Sequence, residues 1–280
     1  MSSDIQNLEK IAKDIRRDII KMLAAAGSGH TGGSLGMADV FTVLYFSVAN
    51  LDPKKPGWDD RDKIVLSNGH ICPALYATLA RRGFFPLAKL KTLRKLGSPL
   101  QGHPHYGELP GVENSGGPLG QGISQAIGMA LAAKMDKKIN RIFCLMSDGE
   151  LNEGQCWEAF LLAAKHKLDN LIVVVDRNKI QLSGTTEDIL PLEPLKEKFQ
   201  AFNFEVLETD GHNLDQIIET LKQAKNIIGR PIVILAHTVL GKGVSFMEND
   251  CRWHGKAPNK EEAEAALKEL KWYFNIFNIS

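Results

Sequence analysis

Two apolar runs, residues 142–146 and 171–175, each end at a polar cluster: Ser147-Asp148-Gly149 after the first, Asn178-Lys179-Ile180 after the second. Between them Trp157, Phe160, Leu161, Ala164 and Leu168 recur at helical spacing, which predicts a strand, a helix and a second strand. A unit of this kind closes with parallel strands. Neighbouring strands lie ~4.8 Å apart, so both polar clusters would open onto the crevice at the carboxyl ends of the sheet, where open parallel sheets bind ligands. An aspartate carboxylate, an asparagine amide oxygen and the Ile180 carbonyl are hard oxygen donors. They suit magnesium, with anionic ligand oxygens and water completing its shell, better than a softer metal. Gly149 allows close approach of the backbone to a phosphate, and the helix that follows offers unpaired amides to an anion.

The same alternation runs through most of the chain. A first amphipathic helix carries Ile5, Leu8, Ile11, Ile15, Ile19 and Met22. A glycine-rich turn (27–36), a helix (37–49), a polar loop (52–62) and a short strand (63–66) follow. Helices over 73–82 and 86–96 each have proline near the first turn, where a missing amide does no harm. Residues 97–120 predict a long ordered loop, and long ordered loops in compact domains are usually functional. Next come a helix over 122–133 with unusually small side chains, the unit described above, a helix near 192–199 and a strand near 205–207. A helix faced by Leu214, Ile217, Ile218 and Leu221, a buried strand over 231–236 and a helix over 261–271 complete the pattern. The expectation is an α/β fold, a mainly parallel sheet with helices on both faces. Residues 1–260 would form one domain, and 261–280 a C-terminal helix and an apolar tail, 272–279, that should dock on its own domain or on a partner.

Composition excludes several classes. A net charge of +1 without a strongly basic run gives no field for nucleic acid or an anionic membrane. Cys72, Cys144, Cys156 and Cys251 are scattered, as expected of reduced thiols. The first helix is interrupted by lysines and arginines, unlike a signal peptide, and no apolar stretch is long enough to span a bilayer. A cytoplasmic protein is expected. Gly27-x-Gly29-x-x-Gly32 has the glycine spacing of a dinucleotide fingerprint, but a long helical pattern precedes it where that motif needs a strand.

Four of the eight histidines, His30, His70, His103 and His254, stand beside glycines in predicted loops, which puts imidazoles at loop tips rather than in apolar faces. His166 reads as a helix-end residue. His105, His212 and His237 are undecided, although His237 follows a buried strand and could reach the crevice. Glu150, Glu153 and Glu158 lie at a helix start, where the macrodipole favours carboxylates, and that alone could explain Glu150.

Ser147-Asp148-Gly149 followed by Asn178 resembles the thiamine diphosphate signature, with Ser147 in place of its first glycine. The surrounding words narrow the resemblance to transketolase: Gly29-His30, Ser67-Asn68-Gly69-His70, Gly102-His103-Pro104, the stretch Gly117-Pro118-Leu119-Gly120-Gln121-Gly122, Glu150-Leu151-Asn152-Glu153-Gly154, and Trp253-His254-Gly255. The resemblance implies a thiamine diphosphate-binding domain of the diphosphate-holding type and transfer of a two-carbon ketol unit between sugar phosphates, as in the pentose phosphate pathway. It also implies roles. Asp148, Asn178 and the Ile180 carbonyl would hold Mg2+, for which Ca2+ or Mn2+ can substitute. Gly117, Leu119, Gly149, Glu150 and His70 would contact the cofactor, and His30, His70, His103 and His254 the reacting sugar. Glu153 and Glu158 would lie near a subunit interface and link paired active sites.

A complete transketolase is more than twice as long, with a pyrimidine-binding domain and a further C-terminal domain. The resemblance therefore implies one subunit of a split enzyme, active only with a partner carrying those domains and assembled as α2β2. Other thiamine enzymes, among them deoxyxylulose-phosphate synthase, a specialised sugar transketolase and the α subunit of a dehydrogenase, would keep the same clamp. A non-catalytic scaffold or a gene fragment are the remaining readings.

Overall fold

In a computed structural model, which describes residues 3–271, seven strands form in chain order. They are β1 (Lys63–Leu66), β2 (Ile142–Ser147), β3 (Leu171–Arg177), β4 (Ile180–Gln181), β5 (Gly184–Thr185), β6 (Glu205–Asp210) and β7 (Ile232–His237). Five of them make one parallel sheet in the order β1-β2-β3-β7-β6, and β4 with β5 forms a small antiparallel hairpin. The helices are α1 (Ser3–Ala26), α2 (Thr31–Gly36), α3 (Ala38–Val43), α4 (Cys72–Arg82), α5 (Gln121–Met135), α6 (Gly154–Lys165), α7 (Thr186–Ile189), α8 (Leu195–Ala201), α9 (Leu214–Asn226) and α10 (Lys260–Glu269).

The inner strands β2, β3 and β7 are buried on both sides, and their side chains divide by alternation between two apolar cores. Phe143 and Leu145 of β2, Ile172 and Val174 of β3, and Ile232 and Ile234 of β7 meet α1, α3, α4 and α9. Ile142, Cys144, Met146, Leu171, Val173, Val175, Val233 and Leu235 meet α5, α6 and α8. Strand order explains the division. From β1 through β2 and β3 to β6 the chain steps in one direction across the sheet, so right-handed crossovers put α5, α6 and α8 on one face. The step from β6 back to β7 is reversed, and α9 lies on the other face.

Three stretches differ from the sequence expectation. The turn expected over 27–36 closes as helix α2 from Thr31. Its glycines conceal it, because they lower helix propensity, yet the packing demands them. A Cβ on Gly32 would sit 2.6 Å from Leu240 Cγ, and one on Gly36 3.0 Å from the Val239 carbonyl oxygen. The helix expected over 86–96 is a short 3-10 helix, Leu87–Thr92. It ends because Leu93 is extended (ψ 128°), Arg94 takes φ 59°, and the Arg94 amide donates to the Leu100 carbonyl (2.8 Å) across the returning loop. The hairpin β4–β5 and the short α7 fall where only a loop was expected. At the other end α10 forms with an Asn259–Glu262 capping box, and Arg17 of α1 donates to its last carbonyls at Leu267 and Leu270. The apolar tail 272–279 lies outside the described residues. Among those residues no helix is long and apolar enough to cross a membrane, and all four cysteines are free thiols.

Behind α2 sits a buried ion pair that fixes its position. Arg16 of α1 grips Asp39 of α3 with two bonds (3.0 and 2.6 Å) and donates from Nε to the Leu35 carbonyl (3.2 Å). His212 Nε2 accepts the Val239 amide (2.8 Å), so the proton lies on Nδ1 and is donated to Asp39 Oδ2 (2.8 Å). The guanidinium beside Asp39 holds its carboxyl below the usual range against the opposing effect of burial. Removing one partner strands the other charge in the interior. Asp39→Ala is therefore expected to lower unfolding free energy by about 3–5 kcal/mol, measured by urea denaturation; a loss below about 1 kcal/mol would contradict this account.

Candidate active site

All five strands of the sheet run the same way, so every carboxyl end reaches one edge. In register, Ser147 lies beside Asp176 and Asp176 beside Ala236. A cavity of about 400 Å³ opens at this edge, and His30, His70, His103 and His254 all face it. The rings of His30 and His70 are 5.0 Å apart, those of His70 and His254 5.4 Å, and those of His30 and His254 5.7 Å. Separate elements deliver them. His30 is the extended residue that opens α2, where Ser34 Oγ donates to its carbonyl (2.6 Å). His70 lies in a tight turn, Gly69–Ile71, directly after β1. His254 follows a turn over Cys251–Trp253 whose start is held by the Asp250 carboxylate. Thr31 Oγ1 donates to the Lys256 carbonyl (2.6 Å) and so ties the His30 and His254 segments together.

Burial comes first among the causes that disfavour the charged form of all four imidazoles. His30 is pushed down to about 4 by burial, then by His254, Arg94 and His103, and His70 goes well below its usual value. Burial lowers His103, with Arg94 adding to it, and burial alone lowers His254. At neutral pH the cluster is uncharged, and the buried Nδ1 atoms of His30 and His254 have no hydrogen-bond partner among the described residues.

The two polar clusters that follow the apolar runs of β2 and β3 are joined directly. Asp148 Oδ2 accepts the Lys179 amide (2.6 Å) and Arg177 Nη1 (3.1 Å), and Oδ1 accepts the Gly149 amide (2.7 Å). Lys179 reaches this position with φ 63°, unusual for a residue with a side chain. Asn178 Oδ1 accepts the Ile180 amide, and its Nδ2 donates to Asp176 Oδ2, both at 2.9 Å. Asp148 itself is fully buried and lies beneath the cavity, which Ser147, Gly149, Asp176, Asn178 and Ile180 line.

This donor set fits a hard divalent cation. Burial, and then the Asp148 charge, push Asp176 up to about 7, and burial raises Asp148 despite its hydrogen bonds. Among the described residues no lysine or arginine lines the cavity, so buried carboxylates at its base would be relieved by a cation. Asp148 Oδ1 accepts from the adjacent Gly149 amide and keeps a lone pair. Among the described residues no three His, Cys, Asp or Glu side chains form a metal cluster, so amide and carbonyl oxygens would have to complete the shell.

Glu150 does more than answer a helix dipole. Fully buried, its Oε1 accepts Ser67 Oγ (2.5 Å) and the Gly120 amide (2.6 Å), while Oε2 accepts the Ser147 amide (3.3 Å). One carboxylate thus joins the ends of β1 and β2 to the loop carrying Gly117 and Leu119. Gln155 Nε2 steadies that loop by donating to the Leu119 carbonyl (2.7 Å). The small side chains of α5 find their reason at Gly122, where a Cβ would lie 2.5 Å from Ser67 Cα.

Not every candidate reaches the cavity. Glu153 and Glu158 are exposed on the surface of this chain. His237 does not enter the crevice; as the last residue of β7 it turns outward, half-exposed, and meets Glu208 (2.9 Å). His105 is exposed, His166 ends α6, and His212 belongs to the Asp39 network. Sequence reasoning did not single out Asp176, Gln181, Leu182 and Leu240, all of which line the cavity, nor buried Arg177, which links Asp148 to Thr186, Glu187 and Glu193. Asp176 and Arg177 were detectable as the polar end of an apolar strand.

The family model "Transketolase, thiamine diphosphate binding domain" matches residues 8–280. The chain belongs to the transketolase family. It is 44% identical to a 6-deoxy-6-sulfo-D-fructose transketolase subunit of a Clostridium species over 97% of this chain and 98% of that one. It is 40% identical to an apulose-4-phosphate transketolase subunit of Phocaeicola vulgatus, over 95% of this chain and 94% of that one. Human transketolase is 36% identical over 95% of this chain, which spans only 42% of the human protein. The crystal structure of Campylobacter jejuni transketolase superposes with a TM-score of 0.90 at 36% identity, covering 99% of this chain and 44% of that one. This chain is thus a transketolase-type thiamine diphosphate-binding domain, matching subunit relatives along nearly their whole length and full transketolases along less than half.

Two outcomes are expected of this geometry. In an NMR titration the His30 ring should stay neutral down to about pH 4, against 6.5 for a free imidazole. Since the unfolded chain takes up that proton first, the stability due to neutral His30 is complete above pH 6.5 and is lost as pH falls toward 4. An apparent value near 6.5 would contradict the burial argument. Gly122→Ala should cost about 1–3 kcal/mol of stability through overpacking against Ser67, measured by thermal or urea unfolding.

Proposed function

We propose that this chain provides the cofactor-holding half of a two-chain transketolase, which moves a two-carbon ketol group from a ketose phosphate to an aldose phosphate. The observation that carries the reading is the convergence of His30, His70 and His254, with rings 5.0 to 5.7 Å apart, on the cavity walled by the Gly149–Glu150 and Gly117–Leu119 segments. Thiamine diphosphate, when bound, supplies a nucleophilic carbon and an electron sink for breaking and forming the carbon–carbon bond. Asp148, Asn178 and the Ile180 carbonyl hold Mg2+ beside the diphosphate. Gly117 and Leu119 offer backbone groups to the aminopyrimidine.

The neutral imidazoles suit proton transfer, because an uncharged ring with a free nitrogen can take a proton from a hydroxyl and return it. His30 and His254 would move protons on the sugar oxygens, His103 would bind the donor's terminal hydroxyl, and His70 would lie near the diphosphate and the sugar. Glu153 and Glu158, exposed here, become interface residues in the assembled enzyme.

A second reading concerns the sugar. The relatives named for 6-deoxy-6-sulfo-D-fructose and apulose-4-phosphate match this chain along nearly their whole length and at higher identity than human transketolase does. This supports a specialised donor rather than the common ketose phosphates.

The partner carries the pyrimidine-binding domain, in an α2β2 assembly. A coupled assay should find negligible ketol transfer by the purified chain, full transfer when the partner is added, and loss of transfer on chelation of divalent cations. Full turnover by the isolated chain would overturn the two-chain reading, and cation-independent transfer would overturn the clamp.

A further inference from the structure

Among the described residues, the wall of the cavity contains no lysine or arginine, its four histidines are held neutral, and two of its residues, Glu150 and Asp176, are buried carboxylates. An anionic ligand entering here meets no fixed positive side chain of that wall. Beyond a divalent cation, its charge can be balanced by that wall only through neutral donors, N–H groups and the Ser147 hydroxyl.

Two side-chain amides line the cavity, Asn178 and Gln181. Asn178 Nδ2 is committed to Asp176. Gln181 Nε2 is buried and has no acceptor among the described residues. A buried amide without a partner is costly, and natural structures keep such groups chiefly where something else completes them. The fold holds Gln181 firmly. It closes strand β4, paired with Gly184 across the hairpin, and its neighbour Ile180 is anchored to Asn178. It also stands against the phosphate-facing wall: a Cβ on Gly149 would lie 3.3 Å from Gln181 Cβ.

We propose that Gln181 Nε2 donates a hydrogen bond to a diphosphate oxygen of the bound cofactor and serves as a binding residue of this site. The inference rests on the reading of the cavity as a thiamine diphosphate site and adds to it a donor outside the aspartate–asparagine clamp. Gln181 is partly exposed as a residue, so it tolerates isosteric replacement.

The test is calorimetric titration of the full chain with thiamine diphosphate in excess Mg2+, for the native protein, Gln181→Met and Gln181→Glu, each with its melting temperature. Gln181→Met should weaken binding about tenfold or more, the worth of a hydrogen bond to a charged acceptor. Gln181→Glu should weaken it further, since a carboxylate of the same shape repels the diphosphate. Native-like affinity in both variants overturns the inference and leaves the cofactor site standing. Tighter binding by Gln181→Glu also overturns it, because the side chain would then serve the cation. If the native chain alone does not bind, the same titrations are run on the chain assembled with its partner, and absence of binding there as well overturns the cofactor reading, and the inference with it.

Discussion

The buried Glu150 carboxylate is the interaction on which the site's geometry depends. Parallel strands bring their carboxyl ends to one edge, but they do not fix the loops that leave those ends. Glu150 does so by accepting from Ser67 after β1, from Ser147 at the end of β2 and from Gly120 before α5. Each donor lies in a segment that also faces the cavity or directly precedes one that does. Burial raises the carboxyl's pKa, and these three donors oppose the rise. Without it, three backbone or hydroxyl donors would be left in an interior that offers no substitute.

Around that anchor no lysine or arginine among the described residues lines the cavity, and one arginine lies buried beneath it. Arg177 lies buried beside Asp148 and reaches outward to Glu187 and Glu193, so the fully buried Asp148 carboxylate beneath the cavity is steadied from behind. The imidazoles are crowded, uncharged and short of partners, an arrangement that favours a ligand able to accept and donate protons. Arg16, Asp39 and His212 play a supporting part on the far side of α2, fixing both that helix and the Val239–Leu240 segment packed against its glycines.

Much of this was legible beforehand because it rests on period and position. Short apolar runs alternating with helical patterns revealed a parallel sheet covered by helices, and polar residues at the ends of residues 142–146 and 171–175 marked the edge where the cavity opens. Helix α2 was not legible, since Gly32, Gly33 and Gly36 argue against a helix until the closeness of Leu240 and Val239 is known. The end of the expected helix at Leu93 was equally hidden, because Leu100, which takes the Arg94 amide, arrives from a later loop. His237 could not be placed for a related reason. Its place after a buried strand left it undecided and able to reach the crevice, whereas in the fold it is half-exposed and meets Glu208. The stitching by Glu150 could not be read at all, because it joins segments far apart in sequence whose approach depends on the whole sheet.

The four imidazoles come from segments near the start, the middle and the far end of the folded region: His30 before the first strand, His254 after the last. No contiguous piece of the chain much shorter than the domain contains them all. A transketolase divided into subunits, as the names of the relatives describe, can place the break before the first of these segments or after the last without dispersing the cluster. A break between them would force assembly to rebuild, across a new boundary, ring contacts that folding of a single polypeptide now creates.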